Sequence, residues 1–420
     1  MLELLPDTAL VDRGVLSVGG CRTTDLADEY GTPLVVYCER TIRARAEAYR
    51  RAAPAALVAY GTKAFPNIAI LRLLVEEGLG ADVSTLGELT FALRAEVPPE
   101  RIVVHGNNKS DAELLAAAEA EVGLLVLDAP DEPARAAEAG VRRVLVRVTP
   151  GIEAETHESI RTAHHGSKFG LPPESAIRAI VAARDAGLDA AGLHVHLGSQ
   201  LLDGAASLAI VGWLGGFAAR AREELDWVPA VIDLGGGLGI AYTPEQQAPE
   251  TERYARALLE ELERSWTLHD LPRPQLVLEP GRSLVGQAAV TLYEVGTLKV
   301  ATEAITWAAI DGGMSDNPRP QLYGARLSAL LANRADEEAA GGFGVVGKHC
   351  ESGDVLIERA VLPEPRRGDL LAVPATGAYT LAMASNYNSV PRPAAVVVAG
   401  GDARLIRRRE TVDDLLRFEE

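Results

Sequence analysis

The chain has 420 residues, 47% of them hydrophobic and 24% charged. That is the composition of a soluble globular protein, too long for one typical core, so one large domain with a smaller one is expected. A net charge of −18 disfavours nucleic acid and anionic membrane surfaces as partners. Three cysteines (Cys21, Cys38 and Cys350) without CxxC spacing argue against a disulfide framework and against structural zinc. The N-terminus has neither a basic region nor a long apolar stretch, and no window approaches the roughly 18 uncharged apolar residues of a membrane span. The expected location is the cytoplasm.

Residues 1–36 hold short strand-like pieces, and 33–37 reads as a strand. Eight apolar runs of β type follow, at 57–62, 81–84, 102–105, 123–127, 143–148, 191–196, 230–234 and 275–279. Helical patterns fall between them, for example at 67–78, 86–95, 111–121, 174–186 and 205–225. Near-continuous apolar strands alternating with helices predict a parallel (β/α)8 barrel, with an open doubly wound sheet as the alternative. After about residue 285 the texture changes to all-β, with strands expected at 290–299, 305–311, 354–362, 369–374 and 394–398. Residues 334–342, rich in Ala, Glu and Gly, read as a surface loop. The predicted division is 37–285 for the barrel and 1–36 with 286–420 for the β domain, which takes up the N-terminal segment.

Polar clusters sit where a barrel keeps its chemistry, at the C-terminal ends of the strands. Lys63 closes the first run, in Tyr60-Gly61-Thr62-Lys63-Ala64. Burial there would depress its pKa and let it condense with a carbonyl, although a solvated lysine at a strand end fits the segment equally. His194 and His196, two apart, share one face of the sixth run. They read as core histidines or a metal pair, but no acidic or cysteine ligands lie nearby in sequence to complete a set, and no metal is expected. Gly235-Gly236-Gly237 after the seventh run lets backbone N–H groups approach an anion; alone it is weak evidence for phosphate. Glu279-Pro280-Gly281-Arg282-Ser283 ends the eighth run and reads as a rim ion pair or a site. Cys350, flanked by His349 and Glu351, suits an exposed loop and a usable thiol. Segments 317–323 and 377–379 read as loops with polar tips.

Together these segments resemble the alanine-racemase-fold (fold type III) pyridoxal-phosphate decarboxylases almost end to end. The likeness runs through Tyr60–Ala64, Asp82-Val83-Ser84 with Gly87-Glu88-Leu89, Thr156-His157 with Lys168-Phe169-Gly170, and the segments 194–200, 233–237 and 279–283. It continues through Asp311-Gly312-Gly313-Met314 and the segments 319–324, 350–354 and 377–388. Met383-Ala384-Ser385-Asn386-Tyr387-Asn388 is closest to the family's diaminopimelate branch. Two departures, Phe65 where many relatives have asparagine and Val195 between the histidines, touch no expected chemistry.

The resemblance implies pyridoxal 5'-phosphate as cofactor and Lys63 as its covalent anchor. Gly236, Gly237, Ser199, Gly281, Arg282 and Tyr379 are implied to hold the phosphate. His196 would stack on the pyridine ring and Glu279 pair with the ring nitrogen. Arg282, Arg319, Tyr323 and Tyr379 would contact the substrate and its distal carboxylate, and Glu351 its distal ammonium. Cys350 would donate a proton, reaching with Glu351 across a head-to-tail homodimer. The implied reaction is decarboxylation of meso-2,6-diaminopimelate to L-lysine. The rivals are a decarboxylase of ornithine, lysine, arginine or carboxynorspermidine, a racemase, and a non-enzymatic relative. A racemase of this fold places an arginine at the ring nitrogen, where this chain has Glu279. A diamine specialist would have no use for Arg319 beside Arg282, and a buried arginine without an anion is costly. A non-enzymatic relative would be expected to have lost Lys63 or Cys350.

Overall fold

The computed structural model describes residues 1–150, 167–196, 198–302 and 305–420. Thr156 and His157, part of the expected family pattern, lie outside the described residues.

One compact unit spans 45–239 and 248–283. Its eight parallel strands are Leu57–Gly61, Gly80–Val83, Ile102–Val104, Leu124–Leu127, Arg143–Arg147, Asp189–His194, Val231–Asp233 and Gln275–Leu278. They close into a barrel, the last strand pairing with the first at Val277 to Leu57 and Leu278 to Val58. Closure removes the open sheet from consideration. Both faces of each strand are covered, which explains the continuous apolar runs. Ala59, Val103, Val126, Leu145, Val231 and Val277 fill the interior.

The helices start where side chains can take the orphan N–H groups of a first turn. Asn67 Oδ1 accepts from the amides of Ala69 and Ile70 ahead of Ile68–Glu76. Thr85 accepts from the Glu88 amide, and Ser110 forms a capping box with Glu113 ahead of Asp111–Glu119.

The other unit holds residues 1–44, 240–247 and 284–420. Its long strand, Ala289–Thr302, pairs antiparallel with Leu34–Cys38, Ile305–Ile310 and Leu370–Pro374. Leu34–Cys38 is wholly buried and runs parallel to Ala394–Ala399. The N-terminal segment is therefore part of the β sheet, as expected.

Two differences from the sequence reading stand out. Residues 341–342, expected in a loop, begin the strand Gly341–Val346. Glycine-rich sequence disfavours strand, but Trp307 lies opposite Gly344 in the ladder. A Cβ on Gly344 would meet the Trp307 ring at 2.2 Å, so the indole takes the space a side chain would fill. Secondly, Arg319–Tyr323 is a short helix with proline in its first turn, where proline's missing N–H costs nothing.

Candidate active site

The barrel unit brings several expected residues to the C-terminal ends of its strands. Lys63 lies in a single helical turn, Thr62–Ala64, directly after the first strand. Its side chain is 47% exposed, with Nζ 3.3 Å from Asp82 Oδ2. Of the two readings of this amine, the structure shows the half-exposed one, beside an acidic neighbour. The Thr62 hydroxyl donates to the Asp82 carbonyl at 2.7 Å and fixes the turn.

Glu279 follows the eighth strand and is fully enclosed. Its Oε1 lies 2.5 Å from His105 Nε2, and its Oε2 lies 3.6 Å from His194 Nε2. Burial opposes ionisation, but His105 and His194 outweigh it and hold the Glu279 carboxyl well below its usual range. Asp233, at the end of the seventh strand, goes the other way. Burial and the neighbouring Glu279 push it well above the usual carboxylate range. His194 is driven down to about 3, by burial first, and His196 well below its ordinary value by burial, Lys63 and Arg147. Within the cluster, Glu279 is thus biased toward its anion, Asp233 toward its protonated form, and His194 and His196 toward neutral imidazoles.

Donor atoms of His105, His194, Asp233 and Glu279 all fall within 4.8 Å of one another. That invites comparison with a metal centre. Zinc with bonds of about 2.0–2.1 Å separates its tetrahedral ligands by roughly 3.3 Å. The 2.5 Å between His105 and Glu279 fits a hydrogen bond instead.

The glycine turn is a cradle that admits no side chains. A Cβ on Gly236 would come within 2.3 Å of the Glu279 carbonyl. Gly237 has φ +120°, and its Cβ would sit 2.6 Å from the Gly198 carbonyl. Arg282 Nη2 donates to the Ser199 hydroxyl at 3.3 Å, and the Gly61 amide donates to the Pro280 carbonyl. Ser199, Gly236, Gly237, Gly281 and Arg282 thus gather around the sixth, seventh and eighth strand ends. Arg147 ends the fifth strand, donates to Asp128 at 3.1 Å and lies 4.7 Å from the Phe169 ring centroid.

These residues fit pyridoxal phosphate. An accessible amine, an ionised buried carboxylate, a neutral imidazole beside it and an amide-lined cradle match the group's aldehyde, ring nitrogen, ring face and phosphate in turn.

In the β unit, Arg319 is buried with its guanidinium 4.0 Å from the Tyr242 ring centroid. Asn317, also buried, has neither amide atom hydrogen-bonded among the described residues. Cys350 and Glu351 are exposed. The Cys350 amide donates to Asn388 Oδ1 at 2.8 Å. Asp354 closes the same turn, accepting from the amides of Met314 and His349 and lying 2.6 Å from His349 Nδ1. Tyr323 is 64% exposed. Tyr379 adopts φ +57°, a conformation uncommon away from glycine and found where a loop is held for use.

Asp82, His105 and Asp233 had no assigned role in the sequence reading, and His194 was read only as a core histidine or half of a metal pair. The signal was present: each is a polar residue at the C-terminal end of an otherwise apolar barrel strand.

A closed parallel barrel bearing this lysine, glycine cradle and ionised carboxylate defines a pyridoxal-phosphate enzyme. Residues 39–286 match the family described as "Pyridoxal-dependent decarboxylase, pyridoxal binding domain", and the chain belongs to that family, with pyridoxal phosphate as cofactor. Over its whole length it is 45% identical to the diaminopimelate decarboxylase of Mycobacterium tuberculosis, covering 99% of that protein. It is 41% identical to that of Bacillus subtilis, covering 97% of this chain and 95% of the relative. The crystal structure of diaminopimelate decarboxylase from M. jannaschii superposes with TM-score 0.93 at 34% identity, covering 99% of this chain and 98% of that one. The Helicobacter pylori diaminopimelate decarboxylase complexed with L-lysine gives TM-score 0.86 at 30% identity, covering 94% and 99%. No helix among the described residues is long and apolar enough to cross a membrane.

Proposed function

We propose that this protein is a carboxy-lyase that converts meso-2,6-diaminopimelate to L-lysine and CO2. The observation that carries the reading is the line of contacts from Lys63 through Asp82 and His105 to Glu279. It sets an accessible amine and an ionised carboxylate at one barrel mouth. The whole-chain likeness to enzymes named diaminopimelate decarboxylase supports the substrate.

Bound pyridoxal phosphate supplies the electron sink for the bond pair left by the departing carboxylate. Lys63 Nζ is assigned the covalent hold on the cofactor. His196, neutral through burial and its cationic neighbours, offers an uncharged face to the ring. Ser199, Gly236, Gly237, Gly281, Arg282 and Tyr379 are assigned the phosphate. Glu279, kept ionised, holds a proton on the ring nitrogen and so favours the form that accepts negative charge. Arg282, Arg319, Tyr323 and Tyr379 orient the substrate, the arginines through its distal carboxylate, and Glu351 takes its distal ammonium. Cys350 Sγ delivers the proton to the carbon that has lost CO2.

Residues 37–285 are assigned the cofactor contacts except that of Tyr379, and 1–36 with 286–420 the partner contacts and those substrate contacts not made by Arg282. We also assign a head-to-tail homodimer in which Cys350 and Glu351 serve the partner's site; the exposure of both supports this. If so, mixing inactive Lys63→Ala and Cys350→Ala subunits restores turnover, because one of the two sites regains both groups.

The decisive assay follows CO2 and L-lysine from meso-diaminopimelate with added cofactor, alongside lysine, ornithine and arginine. Turnover confined to meso-diaminopimelate is expected. Turnover of another amino acid alone would move the enzyme to a paralogous decarboxylase.

A further inference from the structure

Five buried ionisable side chains meet at the barrel mouth: Asp82, His105, His194, Asp233 and Glu279. Two of them, Asp233 and Glu279, are close carboxylates that compete for one negative charge, since burying both as anions is prohibitively costly. The geometry around them is unequal. Glu279 Oε1 faces His105 Nε2 at 2.5 Å. Asp233 Oδ1 accepts only the Gly235 amide, at 2.8 Å, and its Oδ2 has no hydrogen-bond partner among the described residues. His194 also favours the Glu279 anion, but from farther away, with its Nε2 3.6 Å from Glu279, so its hold is weaker than that of His105. Asp82 is 3.8 Å from His105 and is engaged by Lys63. Arg147 is committed to Asp128. That makes His105, the nearest of these groups to Glu279, the one that chiefly distinguishes the two carboxylates.

We propose that His105 is the positioning residue that makes Glu279, rather than Asp233, the ionised carboxylate of this site, and so fits the site to a protonated ring nitrogen. The inference rests on the reading of Glu279 as the ring nitrogen's partner. His105 touches neither substrate nor cofactor in this account; it acts by donating from Nε2 to Glu279 Oε1. A charge-assisted hydrogen bond in a dry site is strong and directional, and its loss lets the proton redistribute between the two carboxylates.

The test compares two ligands on the cofactor-free enzyme: pyridoxal phosphate and its 1-deaza analogue, which has CH in place of the ring nitrogen. Both carry the aldehyde and the phosphate, so Lys63 and the glycine cradle meet them alike. The readout is the ratio of their dissociation constants, measured by absorbance and tryptophan fluorescence rather than by turnover. The wild type is expected to favour pyridoxal phosphate, and Glu279→Gln to lose that preference. His105→Phe is expected to lose roughly tenfold or more of it, the scale of one hydrogen bond to a charged group. His105→Gln, whose amide can donate from a similar place, is expected to keep most of it.

General damage to packing weakens both ligands and leaves the ratio unchanged. A wild-type ratio in His105→Phe, with the preference lost in Glu279→Gln, overturns the role of His105 alone. A wild-type ratio in Glu279→Gln overturns the reading of Glu279 beneath it. If His105→Phe does not fold, as thermal melting will show, His105→Asn serves in its place: polar, but too short to reach Glu279.

Discussion

The barrel unit and the β unit present their candidate groups in opposite ways. At the barrel mouth, Asp82, His105, His194, Asp233 and Glu279 are buried side by side, with His105 facing Asp82 and Glu279, and His194 facing Glu279. In the β unit, Cys350 and Glu351 are exposed on a short, well-braced turn, and Tyr323 at the end of a short helix. A buried cluster acts as one electrostatic object, in which each group's protonation depends on the others. Exposed groups act singly, through whatever they meet. Substitutions in the barrel should therefore have coupled effects, and those in the β unit separable ones.

The largest expected effect is Lys63→Ala. It should abolish both turnover and the absorbance of covalently held cofactor; an active, yellow variant would remove Lys63 from the site. Next comes Cys350→Ala, which tests the separable side of the contrast. Loss of a proton donor should lower kcat by roughly 10²-fold or more, while the cofactor's absorbance and affinity stay as in the wild type. Weakened cofactor binding in that variant would contradict the independence of the exposed groups.

Arg319→Ala is a mixed case, because the guanidinium is buried against Tyr242 and its loss also costs packing. Comparing ligands removes that shared cost. KM for meso-diaminopimelate should rise by roughly 30-fold or more, the scale of one severed buried charge pair, with little change in the inhibition constants of lysine and ornithine. Equal increases would place Arg319 in the framework only.

The smallest effect sharpens the electrostatic part of the comparison. Asp316, buried and accepting from the Tyr293 hydroxyl and the Gly313 amide, is pushed up to about 7, mainly by burial. An acid whose folded-state pKa is raised binds more protons when folded than when unfolded. Its contribution is thus greatest at low pH and declines from near pH 4 through pH 7, by at most about 1.4 kcal/mol per pH unit. Relative to Asp316→Asn, the wild type's melting temperature should fall over this window. Parallel slopes in the two proteins would show that Asp316 does not titrate there.

The features hardest to see in the chain are those made by partners distant in sequence. Parallel strands buried on both faces leave an apolar run that any reading finds, so all eight barrel strands were legible, as was the lysine at the end of the first. Gly341–Val346 was not, because its glycines are compensated by Trp307 from another strand. Whether Lys63 is buried stayed open in the sequence for a related reason: a strand end is local, but the exposure of a long side chain depends on what surrounds the barrel mouth. His105 looked like any polar residue after a short strand. Its partner Glu279 lies 174 positions away.

From the residues alone came the alternation of apolar strands and helices, the glycines that only a tight turn or cradle requires, and the family pattern carried by Lys63, His196, Glu279 and Cys350. These are local signals, set by period, by backbone freedom and by residue type. Which carboxylate holds the charge, and which histidine makes it do so, was decided only when the barrel closed. Closure brought Asp82, His105, His194, Asp233 and Glu279 from five strand ends into one dry space, and a buried proton's place depends on distances of a few tenths of an ångström that no linear spacing encodes.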